Sequence, residues 1–104
     1  MPREPESPVK PLEWSPRAWG AYSATLAFIA DEDPAAAQLV KDRVDRALNQ
    51  IAAFPSIGTP STRRGLRRFP VPNTGHIVLY RVRRRTVLIL GWFRARQRQH
   101  RALD

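Results

Sequence analysis

Two helix-start signals constrain this chain more than anything else in it. Ser15-Pro16 and Asp33-Pro34 each place a short polar residue where a side-chain oxygen can cap a helix, followed by a proline at the first helical position. After the first, Trp19, Tyr22, Leu26 and Ile29 recur at spacings of 3, 4 and 3, one apolar stripe on a helix. The acids Asp31, Glu32 and Asp33 oppose the macrodipole at a C-terminus, so this helix is expected to stop near Ala30. After the second, Ala36, Val40, Val44, Ala47, Leu48 and Ile51 form another stripe, which Pro55 and Gly58 close. A connection of about three residues makes the two helices antiparallel neighbours.

Beyond Phe54-Pro55-Ser56-Ile57-Gly58 the periodicity changes. Residues 55–64 read as a loop. Three strand candidates follow. Leu66–Val71 is the weakest, because Pro70 removes a ladder donor and suggests an edge or bulge. His76–Val82 and Thr86–Phe93 are rich in β-branched and aromatic residues. Arg83-Arg84-Arg85 between them lacks Gly or Asn and is expected to form a loose loop. Near the start, Val9–Trp14 suits a short first strand, which Pro8 and Pro11 confine to an edge. The order is β-α-α-β-β-β: an α+β chain with a helical hairpin packed on a small antiparallel sheet. Residues 1–8, with three prolines and alternating charge, read as a disordered tail, and 9–104 as one domain.

The last strand is apolar on both sides. Strict alternation puts Val87, Ile89 and Phe93 on one face and Leu88, Leu90 and Trp92 on the other, with Val78 and Tyr80 as candidates to join the second set. Two helices cover only one face of a small sheet. Either the Pro-rich loop or the termini cover the second face, or it is a binding surface for a partner chain.

Charge is segregated along the chain. Residues 1–62 carry six Lys/Arg against eight acids, net −2; residues 63–104 carry twelve Arg against Asp104 alone, net +11. A half-chain of that sign attracts nucleic acid or acidic protein segments, although an Arg-rich composition also serves plain solubility. With no cysteine in 104 residues, disulfides and Cys-based metal sites are excluded. A chain of this size buries roughly 65% of its unfolded surface, enough for one core. No apolar run reaches the ~18 residues of a membrane span, and Met1–Pro8 has no apolar core of a secretory signal. A cytoplasmic setting is compatible with this.

Catalytic motifs are sparse. The sequence has no Gly-rich phosphate loop, no metal-ligand cluster and no Ser/His/acid set, so no cofactor or metal is expected. His76 and His100 lie far apart. Enzymatic chemistry, if present, would rest on Arg stabilising a phosphate and Tyr or His moving a proton.

In the order and spacing of its phrases the chain resembles the RelE/ParE superfamily of type II toxins. The resemblance spans Leu12 to Arg98 and rests on Trp14…Ala18, Asp33-Pro34-Ala35-Ala36-Ala37, Leu48…Pro55-x-x-Gly58, Gly65-Leu66-Arg67, Tyr80-Arg81-Val82 and Val87-Leu88-Ile89-Leu90…Arg94-x-Arg96. It implies a neutralising antitoxin encoded beside the toxin. The helical-hairpin phrases are similar to the ParE side, some of whose members poison DNA gyrase without catalysis. In the other branch, the ribosome-dependent mRNA endonucleases, an Arg stands near position 77 and a Lys near 70; here these are Ile77 and Pro70. ParE-like chains often carry a His near position 94, where this one has Arg94. The ParE reading assigns no catalytic residue. It expects the antitoxin, through an acidic amphipathic segment, to contact Leu88, Leu90, Trp92, Arg81 and Arg94, and the target to meet Arg94, Arg96 and Arg98; nucleic acid is contacted only indirectly or weakly. The alternative, nuclease reading would use Arg67, Arg68, Arg81 and Arg96 on phosphate, with Tyr80 or His76 in proton transfer. A third alternative is a degenerate, non-toxic relative.

Overall fold

The computed structural model describes residues 9–95. The N-terminal tail 1–8 and the C-terminal stretch holding Arg96, Arg98 and His100 lie outside them.

Both helix-start signals work as capping chemistry. Helix α1 spans Pro16–Glu32, and the Ser15 hydroxyl accepts the Ala18 N–H at 3.1 Å. Helix α2 spans Pro34–Ala53, and the Asp33 carboxylate accepts the Ala36 N–H at 3.1 Å. The first helix runs past Ala30, and the connection is Asp33 alone. Its backbone N–H closes α1 on the Ile29 carbonyl at 2.8 Å while its side chain opens α2. One residue serves both helices, so the acids at the end of α1 double as the N-terminal charge that α2 favours.

Five strands form one sheet in the order β1-β5-β4-β3-β2: β1 Leu12–Trp14, β2 Thr59–Pro60, β3 Leu66–Val71, β4 His76–Val82 and β5 Val87–Arg94. Two features depart from the sequence reading. The sheet is mixed, because β1 runs parallel to β5, with Leu12 opposite Val87 and Trp14 opposite Ile89. The 55–64 loop also contains structure, a 3-10 turn at Pro55–Ile57 and the two-residue β2 against Arg67 and Arg68. Short strands at both edges, β1 preceded by Pro11 and β2 ending in Pro60, leave little backbone for unwanted pairing. The Arg-rich link between β4 and β5 is closed by Arg83 N–H to Thr86 O at 2.8 Å, and the Lys10 ammonium donates to the carbonyls of Arg83 at 2.6 Å and Arg84 at 3.2 Å.

The core lies between the hairpin and one sheet face. It joins Ala18, Tyr22, Val44, Ala47, Leu48 and Ile51 from the helices to Val71, Val78, Tyr80, Val87, Ile89 and Trp92 from the strands. The α2 stripe is buried much as its spacing predicts, whereas Trp19 at the head of the α1 stripe stays half exposed and packs edge-on against Trp14 and Tyr22.

Strict alternation fails on β5. Leu79 stands opposite Gly91 and Tyr80 opposite Ile89, so Leu90 is an extra residue in the ladder, a β-bulge. The bulge reverses the face of everything after it. Trp92 therefore turns inward with Val87 and Ile89, and Phe93 turns outward, the opposite of what the pattern predicts. Gly91 accommodates the crowding: a Cβ there would lie 3.2 Å from Leu79 Cβ.

Candidate functional site: the helix-free face of the sheet

Trp92 is not available as an interface anchor. It is 6% exposed, stands edge-on to Tyr22 with centroids 4.9 Å apart, stacks on His76 at 4.5 Å, and its indole N–H donates to the Thr25 hydroxyl at 2.9 Å. Arg94 shares that side of the ladder, opposite His76, and lines a hollow with Thr74, Gly75 and His76. The expected set Leu88, Leu90, Trp92, Arg81 and Arg94 is thus split by the bulge. Leu88, Leu90 and Arg81 stay on the helix-free face; Trp92 and Arg94 belong to the other side.

Val78 and Tyr80 also face the helices, fully buried. The Tyr80 hydroxyl donates to the Pro55 carbonyl at 2.7 Å and accepts the Gly58 N–H at 2.9 Å. A Cβ on Gly58 would lie 2.6 Å from that oxygen. Arg67, whose backbone pairs with β2, donates through Nη1 to the carbonyls of Ser56 at 3.1 Å and Gly58 at 2.6 Å. The Pro-x-x-Gly phrase is therefore a 3-10 turn tied down by Tyr80 and Arg67. These two side chains of the alternative catalytic set are committed to backbone groups. Tyr80 lies 22 and 25 residues from its partners in the turn and Arg67 9 and 11, so local sequence patterns do not show the pairing.

His76 is half-buried. Burial is the main cause that holds its pKa below the ordinary value; contact with the Thr74 carbonyl opposes the shift, and the nearby Arg94 guanidinium adds to it. Tyr22 is pushed up to about 12 by burial, with smaller contributions from Asp45 and Asp42, and its buried hydroxyl has no hydrogen-bond partner among the described residues.

The helix-free face has a definite layout. Ladder register aligns Leu66, Arg68 and Pro70 of β3 with Arg81, Leu79 and Ile77 of β4, followed by Leu88, Gly91 and Phe93 of β5 and by Glu13 of β1. Leu66 and Ile77 are buried; Leu79, Leu88, Leu90 and Phe93 are only partly covered. Arg81 is exposed. The Nε of Arg68 is buried without a hydrogen-bond partner among the described residues, beside a hollow of about 110 Å³ lined by Thr59, Arg68, Pro70 and Ile77. A buried guanidinium N–H without an acceptor is costly, so this corner is suited to a carboxylate or carbonyl from outside.

Comparison with known proteins bears on what this surface serves. The protein named "Putative toxin Y4kP" of Sinorhizobium fredii (strain NBRC 101917 / NGR234) is 30% identical over 75 residues, 72% of this chain and 78% of that protein. A solved structure titled "Chromosomal ParDE TA system from P. aeruginosa" superposes with a TM-score of 0.68 at 24% identity, covering 83% of this chain and 96% of that one, and so shares the fold. The family model described as ParE toxin of type II toxin-antitoxin system, parDE, matches residues 12–99, which include every strand and helix of the described residues. The chain therefore belongs to the ParE family of type II toxin-antitoxin toxins.

Proposed function

We propose that this toxin acts by binding its target, DNA gyrase, in the cytoplasm, and that a cognate antitoxin holds it inactive by laying an acidic, amphipathic segment on the helix-free sheet face. The carrying observation is the partly covered row Leu79, Leu88, Leu90 and Phe93 beside Arg68 and Arg81. An apolar patch with Arg68 and Arg81 on its β3–β4 side and Glu13 only at the β1 edge fits a segment with apolar anchors and carboxylates. The buried Arg68 Nε, without a hydrogen-bond partner among the described residues, supports an acceptor arriving there. Family membership supports an antitoxin partner. The commitment of the Tyr80 hydroxyl to Pro55 and Gly58 supports binding over a nuclease that would use Tyr80 in proton transfer.

Two measurements test this. Purified toxin should inhibit gyrase supercoiling or trap cleaved DNA, and the antitoxin should reverse it. No effect at excess toxin, with toxicity intact in cells, removes gyrase as the target. Codon-phased mRNA cuts on translating ribosomes would overturn the non-catalytic mechanism. For the surface, Leu88→Glu should keep the circular dichroism spectrum and weaken antitoxin binding by about 2 kcal/mol or more, roughly thirtyfold in Kd. An unchanged Kd would show that the antitoxin docks elsewhere.

A further inference from the structure

At the β3–β4 end of the molecule a second, separate feature stands out. A hollow of about 130 Å³ is lined by Arg43, Arg46 and Gln50 of α2 and by Pro72 and Asn73 of the turn between β3 and β4. Residues 43, 46 and 50 lie at helical spacings of 3 and 4, so they share one face of α2. The Arg43 guanidinium donates through Nη1 to the Asn73 carbonyl at 3.0 Å, which fixes one wall of the hollow. Asn73 holds that position at φ 60, a left-handed conformation in which Asn is favoured among non-glycine residues.

The charges of α2 are sorted around this hollow. Its carboxylates Asp42 and Asp45 act on Tyr22 of α1, and Asp45 pairs with Lys41 at 3.0 Å. Neither Arg43 nor Arg46 makes an ion pair among the described residues, and no acid lines the hollow. Two guanidinium groups and two side chains with amides thus line one hollow with no acid among its lining residues, although both arginines come from the half of the chain whose net charge is −2. Guanidinium forks and amide N–H groups are the donors that phosphate oxygens accept from most readily. On the other side of the same turn, Thr74, Gly75, His76 and Arg94 line another hollow, so cationic surface continues past the turn.

We infer that the Arg43/Arg46/Gln50/Asn73 hollow is a phosphate-recognition site, distinct from the helix-free sheet face. Its ligand is a phosphoryl oxyanion, either a phosphodiester of a nucleic-acid backbone or a free phosphorylated small molecule. The two sources differ in reach: a chain of phosphates also engages Arg94 across the turn, whereas a single phosphate does not.

The test uses the full chain, isotope-labelled for NMR of Arg and Asn/Gln side chains, at constant ionic strength set with chloride. It is titrated with sodium phosphate, with pyrophosphate and with a short single-stranded oligonucleotide. Saturable shifts should centre on Arg43, Arg46, Gln50 and Asn73. Arg46→Gln, at an exposed position, should weaken binding about tenfold, and for the oligonucleotide it should also lower the salt slope by about one phosphate contact. Arg84→Gln, in the Arg-rich β4–β5 link, should leave the affinity unchanged. Tighter binding of the oligonucleotide, with shifts extending to Arg94, identifies the nucleic-acid backbone. Equal or tighter binding of pyrophosphate identifies a small ligand. Non-saturating shifts, or equal losses from Arg46→Gln and Arg84→Gln, overturn the proposal and leave only diffuse attraction of anions. Because gyrase and antitoxin binding are not read out, failure here leaves the proposed function untouched.

Discussion

At the scale of single residues, Tyr80 and His76 show how a titratable group can be absorbed by the fold. The Tyr80 hydroxyl satisfies two buried backbone groups of the 55–58 turn, so Tyr80→Phe strands a carbonyl and an N–H at once. Chemical denaturation should show a loss of about 2–4 kcal/mol, and the turn's amides should exchange faster with solvent. A loss below 1 kcal/mol would mean that water replaces the hydroxyl freely. His76 behaves oppositely to a salt-bridged group. Its folded pKa is lowered, so the unfolded chain binds the proton more readily. Its contribution is complete above the unfolded value of about 6.5 and is lost as pH falls through that value toward the folded pKa. Denaturation midpoints measured between about pH 7.5 and 5 should therefore decline. His76→Phe, which keeps a ring against Trp92, should flatten that slope.

At the scale of elements, the bulge in β5 decides which side chains are structure and which are surface. It places Trp92 against Tyr22, His76 and Thr25 and leaves Leu88 on the open face. Trp92→Ala should cost about 3–5 kcal/mol, because it empties a large volume inside the core. Leu88→Ala should cost about 1 kcal/mol or less. Thermal unfolding of the two variants checks the assignment. Similar losses would mean that both residues are core. The loops follow the same logic. The Arg83-Arg84-Arg85 link lacks tight-turn residues, yet Lys10 draws its carbonyls together from a distant part of the chain.

At the scale of the whole molecule, the segment from residue 63 onward carries the net +11 and its described part, residues 63–95, supplies β3, β4 and β5, while the −2 segment supplies the helices that cover one side of these strands. An acidic partner approaching the sheet face is steered by that field. Its association rate should fall by about tenfold or more between roughly 50 and 300 mM salt, with the dissociation rate nearly constant. Stopped-flow measurement with the antitoxin tests this. A salt-independent association rate would mean that the contact is made by apolar shape alone.

The sequence by itself determined the two helices, because capping oxygens, Pro at the first position and a stripe at helical spacing are local signals. It also determined the existence of β3, β4 and β5 and the segregation of charge, which depend only on composition within short windows. Its family phrases were sufficient to place the chain on the ParE side. Only the tertiary structure decided the parallel pairing of β1 with β5, since pairing joins residues seventy-five positions apart that carry no mutual signal. Only the tertiary structure decided that Tyr80 and Arg67 hold the Pro55–Gly58 turn, a contact of side chains with backbone groups that no spacing rule encodes. The bulge at Leu90 was the decisive omission. Side chains alternate with a period of two, so one extra residue inverts all that follow, and it moved Trp92 and Arg94 off the face where alternation had put Trp92. An apolar, Arg-bearing open sheet face was therefore legible in kind, but its membership was fixed by a single irregularity in one ladder.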